Sequence, residues 1–232
     1  MTGRLRRRGP RRACGAPLLA LAALGAAGCQ APVGDEPPAT RSAQPLAHEA
    51  VLLRGWIGEQ AADLEPVLPT AAAPSLQDGG AGPFRLSGFD DAGRLLFELR
   101  FGEEALASVP GRPGHHFMLV AAVGAGGASA LATLELDAAQ GRTAVQQARW
   151  PAETLQAALA EVQPSADGQG SWRVRWDAGR FALLQLRDPA SGAILALDRD
   201  GEVSVAAEGA ALEVALSDGV RSAAALVELP TP

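Results

Sequence analysis

Ser171-Trp172-Arg173-Val174-Arg175-Trp176 is the stretch that decides how this chain is read. Trp172, Val174 and Trp176 alternate with Arg173 and Arg175, a period of two. An extended strand sends successive side chains to opposite faces, so this run buries three apolar groups and leaves two guanidinium groups in water. The period recurs outward, at Phe97-Glu98-Leu99-Arg100-Phe101 and at Leu212-Glu213-Val214-Ala215-Leu216. Turn signals stand between the runs: Asp90-Asp91-Ala92-Gly93, Asp188-Pro189-Ala190-Ser191-Gly192, Asp198-Arg199-Asp200-Gly201 and Ser217-Asp218-Gly219. Proline presets φ at a turn's second position, and glycine accepts positive φ. Short strands punctuated at intervals of roughly 8–12 residues predict an all-β fold of antiparallel β-sandwich type.

On this reading strands lie near 50–57, 84–89, 95–101, 116–123, 131–136 and 143–149. A second set lies near 172–176, 181–187, 193–198, 202–206, 211–216 and 223–229. One segment breaks the pattern. Behind Pro151, Leu155, Leu159 and Val162 fall at i, i+4 and i+7, which predicts a short helix or a domain junction. The polar run 163–170 follows, so a boundary is expected there, between β modules at 48–150 and 151–232. A single larger sandwich is the alternative.

The N-terminus has the parts of an export signal. Arg4, Arg6, Arg7, Arg8, Arg11 and Arg12 precede an apolar run from Ala16 to Ala27. A dozen apolar residues are too few to span a hydrocarbon core of about 30 Å, which points to a cleaved signal. Leu24-Gly25-Ala26-Ala27-Gly28-Cys29 resembles the lipobox of bacterial lipoproteins, with leucine at position 24 rather than three before the cysteine. The resemblance implies cleavage between Gly28 and Cys29, a diacylglyceryl thioether on Cys29, and acylation of the new amino terminus. That covalent lipid is the only cofactor-like group expected. Gln30, not aspartate, follows the cysteine. By resemblance to the sorting rule of Gram-negative lipoproteins, this implies the outer membrane in such an organism.

Cysteine usage fits a lipid site. Cys14 and Cys29 are the chain's two cysteines, and Cys14 lies in the 1–28 signal. One thiol then remains, so the mature chain forms no internal disulfide although exported domains often use them. One acyl chain holds a membrane marginally, whereas two or three hold it stably.

All 20 basic residues are arginine, and six precede Cys29, where no acid occurs. Fourteen arginines then face 26 acidic residues in the 204 residues from Cys29 onward, a net of −12. Such a body is unsuited to nucleic acid, whose binding neutralises phosphates, and to docking on anionic lipid. Residues 29–47 carry Pro32, Pro37, Pro38 and Pro45 with almost no large apolar side chain, and are expected to be an extended, unfolded tether.

The second half resembles a module found at the C-termini of large secreted bacterial proteins, some of them metalloproteases. Arg173-Val174-Arg175-Trp176-Asp177, Leu186-Arg187-Asp188-Pro189 and Leu216-Ser217-Asp218-Gly219-Val220-Arg221-Ser222 carry the likeness. It implies an immunoglobulin-like accessory sandwich and transfers no activity.

Catalytic signatures are sparse. Without lysine, the P-loop, Schiff-base and Ser-x-x-Lys chemistries are excluded. Neither His-Glu-x-x-His nor Gly-x-Ser-x-Gly occurs. The metal candidates are His115 with His116, and Asp198 with Asp200. Adjacent histidines on a strand face opposite ways, and Gly201 does not fit the calcium-loop frame, so surface histidines and an Asp-Gly turn are the simpler readings. Trp172 and Trp176 share a face with Val174 and are expected in the core; Trp56 and Trp150 are left open. The expected function is binding or scaffolding at the cell envelope, toward an envelope protein, a secreted enzyme or a glycan. The alternative is an enzyme, or an accessory subunit of a secreted hydrolase, whose site gathers loop carboxylates and histidines in one cavity.

Overall fold

Each alternating run quoted above is a strand in the computed structural model, which describes residues 43–76, 80–138, 141–168 and 170–230. The signal, Gly28 and Cys29, and the tether up to residue 42 lie outside the described residues. The first-half strands are β1 (Gln44–Leu46), β2 (Ala50–Ile57), β3 (Ala62–Leu64), β4 (Leu68–Thr70) and β5 (Phe84–Phe89). They continue as β6 (Leu95–Phe101), β7 (Leu106–Val109), β8 (Arg112–Ala122), β9 (Thr133–Asp137) and β10 (Thr143–Gln147). Helix α1 (Ala152–Glu161) follows, then β11 (Ser165–Ala166), β12 (Ser171–Arg175), β13 (Leu183–Arg187) and β14 (Ile194–Asp198). The last three are β15 (Glu202–Ala206), β16 (Ala211–Ser217) and β17 (Ser222–Glu228).

All pairings are antiparallel. Two sheets, β10-β9-β5-β6 and β3-β2-β8-β7 with β4 on β2, enclose a first core. There Phe101 lies between Phe84 and Phe117, each ring centroid 5.3 Å away. Gly55 lets β2 pass under Phe117: a Cβ would stand 2.6 Å from that ring and 2.4 Å from the Asp63 carbonyl oxygen. The sheets β1-β17-β16-β13-β14 and β11-β12-β15, with α1, enclose a second core. Trp172 and Val174 are buried in it and Trp176 packs against it, while Arg173 and Arg175 pair with Asp167 and Glu202 on the solvent side. Amphipathic α1 contributes Leu155 and Leu159.

The structure departs from the expected tether at its end. Gln44–Leu46 form an edge strand on β17, pairing Leu46 with Ala224. Pro45 is tolerated there because an edge strand needs ladder hydrogen bonds on one side only.

The two cores are joined through one hairpin. The turn between β16 and β17 carries Val220 out of the second half and into the first core, at 0% exposure. Gly219, at φ 121°, turns the chain there, and its carbonyl accepts the Val67 amide at 2.9 Å. Only glycine holds such a φ without strain.

Candidate functional site

Asp218, 1% exposed, organises that hairpin. Its Oδ1 accepts the amides of Val220 and Arg221 at 3.0 and 2.8 Å. Its Oδ2 accepts the amides of Arg149 and Trp150, at 2.9 and 3.1 Å, from the strand-to-helix connection. One buried carboxylate thus satisfies four backbone donors from both halves. Arg221, 2% exposed, donates to the Trp150 carbonyl at 2.6 Å and to both carboxylate oxygens of Asp91 at 2.7 and 2.8 Å. The Ser-Asp-Gly-Val-Arg-Ser run was legible as a turn; that its aspartate and arginine turn inward was not.

A second polar cluster lies where the chain passes from β1 to β2. His48 Nε2 is 3.2 Å and Arg187 Nη1 3.9 Å from Glu213 Oε1, each side chain about one-tenth exposed. The imidazole of His48 is the largest influence on Glu213; despite burial acting the other way, it holds the carboxyl below its ordinary value of 4.5, and Arg187 pulls the same way. A lowered folded-state pKa means stability that is present above the ordinary value and lost as pH falls through the folded one. Glu213→Gln is therefore expected to be less stable than wild type at neutral pH, with the gap closing as pH falls below about 4. Denaturant unfolding of both proteins across that range checks this, and a gap independent of pH would contradict it.

The metal candidates do not assemble. His115 and His116 are consecutive in β8, and their rings take different partners: Ser108 Oγ is 3.3 Å from His115 Nδ1, whereas Glu65 Oε1 is 3.6 Å from His116 Nε2. Asp198 Oδ1 accepts the Asp200 amide at 2.7 Å, which closes the β14–β15 turn. Among the described residues no three His, Cys, Asp or Glu side chains gather to hold a metal ion. Trp56 is buried, with Arg112 stacked 4.0 Å from its ring centroid, and Trp150 is 36% exposed.

His115 does line a cavity of about 440 Å³ with Ser108, Glu103, Arg142, Ile57, Phe84 and Leu106. The Glu103-Glu104 pair reads from sequence as a solvated face, so nothing there announces this grouping. Ser108, His115 and Glu103 are all exposed, and water is a poor setting for activating a hydroxyl nucleophile.

No family profile, curated protein or solved structure matches this chain. Function therefore rests on its own surface. The most distinctive surface element is β14. It ends its sheet, and no strand pairs with its outer side among the described residues. Ile194 and Leu197 on it are 56% and 44% exposed. Of the other edge strands, β6, β7 and β10 each carry one such side chain, Leu95, Val109 and Val145, and β1, β3, β11 and β15 carry none. A register shift opposite Arg187 lets both apolar residues face outward while Leu195 and Ala196 pack inward.

Proposed function

We propose that this chain is a lipid-anchored protein of the cell envelope, of the outer membrane in a Gram-negative organism. Its β-sheets, immunoglobulin-like in the second half, bind an extended segment of an envelope or secreted protein. Cys29 carries the lipid, the Pro-rich residues after it form the tether, and a body of net charge −12 stays clear of anionic headgroups. The observation that carries the binding reading is the open edge of β14 with Ile194 and Leu197. Unpaired strand edges recruit a partner strand through main-chain hydrogen bonds, and exposed alternate side chains supply specificity.

A photo-crosslinking residue placed at Leu197 in the living envelope is expected to give one discrete adduct, and Ile194→Glu to abolish it. Met118, 61% exposed on the internal strand β8, is the control position. Identical adducts at both positions would contradict the proposal. The cavity of Ser108, His115 and Glu103 favours the second reading, an enzyme or accessory subunit of a secreted hydrolase. Covalent labelling of Ser108 by a fluorophosphonate would decide for it.

A further inference from the structure

The Asp91–Arg221 pair is asymmetric in a way that a structural ion pair does not require. Arg221 is 2% exposed at its side chain, whereas Asp91 is 78% exposed. Asp91 is not needed by its own turn: Asp90 Oδ1 accepts the amides of Ala92 and Arg94, both at 2.9 Å, and its Oδ2 takes the Arg94 guanidinium. The Asp91 carboxylate instead reaches across to a buried guanidinium and meets it with both oxygens. Arg221 Nε, also buried, has no hydrogen-bond partner.

The surroundings of this pair are built for more than one carboxylate. Asp91 and Arg221 line a cavity of about 330 Å³ with Arg149, Trp150, Glu153 and the start of α1 at Pro151 and Ala152. No side chain caps the first turn of that helix, whose free amides favour an anion. Arg149 and Trp150 are fixed at their backbone by Asp218, and Trp150 is fixed again by donating from Nε1 to the Arg180 carbonyl at 3.2 Å. The Arg180 guanidinium lies 5.0 Å from the centroid of the Trp150 ring. Arg149 and Arg221 thus line one cleft of a strongly acidic protein, with Arg180 beside it against the Trp150 ring. Guanidinium groups meet carboxylates and phosphates through charge-assisted hydrogen bonds, and Asp91 already makes such a contact, with both of its oxygens on the single Nη2 of Arg221.

We infer that the cleft between the β5–β6 turn, Trp150 and the start of α1 is an oxyanion-binding site, in which Asp91 stands in for an external carboxylate or phosphate and yields to it. Trp150 offers an aromatic face and Glu153 an acceptor, which suit an oxyanion carried on a hydroxylated, sugar-like frame. This inference does not depend on the strand-edge reading, because β14 contributes nothing to the cleft.

Calorimetric titration of the folded chain with glucuronate, inorganic phosphate and glucose, at constant ionic strength, tests it. Glucuronate or phosphate is expected to bind and glucose not, and the stronger of the two anions names the carboxylate or the phosphate source. Asp91→Asn removes the competing charge while Asp90 keeps the turn, and is expected to tighten anion binding about tenfold. Arg149 is exposed, so Arg149→Gln should fold normally and bind about fivefold more weakly than wild type. Binding that neither variant alters would overturn the inference. So would the failure of both anions to bind Asp91→Asn, or to bind wild type should Asp91→Asn not fold.

Discussion

Asp218→Ala is expected to lose about 4 kcal/mol of folding stability, a fall of roughly 10 °C or more in Tm for a body of this size. The expectation follows from four donors losing one acceptor. In wild type, the amides of Arg149, Trp150, Val220 and Arg221 all end on this carboxylate, at 1% exposure, where water cannot replace it. An unsatisfied buried donor costs about 1–3 kcal/mol, and the variant's partial relaxation keeps the sum below four such penalties. The loss is expected to reach both halves, because the same hairpin delivers Val220 to the first core and strands β16 and β17 to the second. Probes near Trp56 and near Trp172 should therefore report the same lowered midpoint. Ser217→Ala, which removes one acceptor from the Gly219 amide at 3.2 Å, sets the scale for a single hydrogen bond at about 1 kcal/mol. If Asp218→Ala cost no more than Ser217→Ala, the hairpin would not be what joins the two cores.

The alternation that exposed the fold in the sequence works because a half-buried strand must write its burial into its composition. Phe97, Leu99 and Phe101 point inward in β6, and Leu212, Val214 and Leu216 do so in β16. The same logic fails for short strands. β1, β3 and β4 have three residues each, too few to display a period. Leu68, Pro69 and Thr70 of β4 are all buried, so no alternation exists there to be read. Ser222 to Val227 shows no alternation either, although a strand near 223–229 is expected and β17 is there: the run Ser-Ala-Ala-Ala-Leu-Val is small and nearly uniform, because both faces of β17 are covered over most of its length.

The site-level features were harder to read for a related reason. Aspartate beside glycine is the ordinary signature of a solvated turn, and Asp198-Arg199-Asp200-Gly201 is one. Ser217-Asp218-Gly219 carries the same signature but is buried. What separates them is Val220, whose apolar side chain follows the glycine and needs a core to enter. Gly201 is followed by Glu202, which stays in water. Likewise Arg221 sits in a stretch of small residues where a guanidinium has no local partner, and its acceptors, Asp91 and the Trp150 carbonyl, lie 130 and 71 residues away. No local pattern encodes such distances.

The largest expected effect on the protein's behaviour in the cell belongs to Cys29. On the proposed reading, the thiolate of Cys29 is the atom that takes the diacylglyceryl group, and Cys14, the other cysteine, lies within the leader outside the lipobox-like run 24–29. Serine keeps the size and polarity but is a far weaker nucleophile at neutral pH, so neither the lipid nor the cleavage that depends on it should occur. Two or three acyl chains hold a protein at a membrane where none would, each buried methylene contributing about 0.8 kcal/mol. The decisive measurement is therefore metabolic palmitate labelling, with membrane fractionation, of wild type and Cys29→Ser. The account predicts a labelled, processed, membrane-bound wild type, and a variant that carries no label and keeps its uncleaved leader. A Cys29→Ser protein that still incorporates palmitate and is still processed as wild type would contradict it.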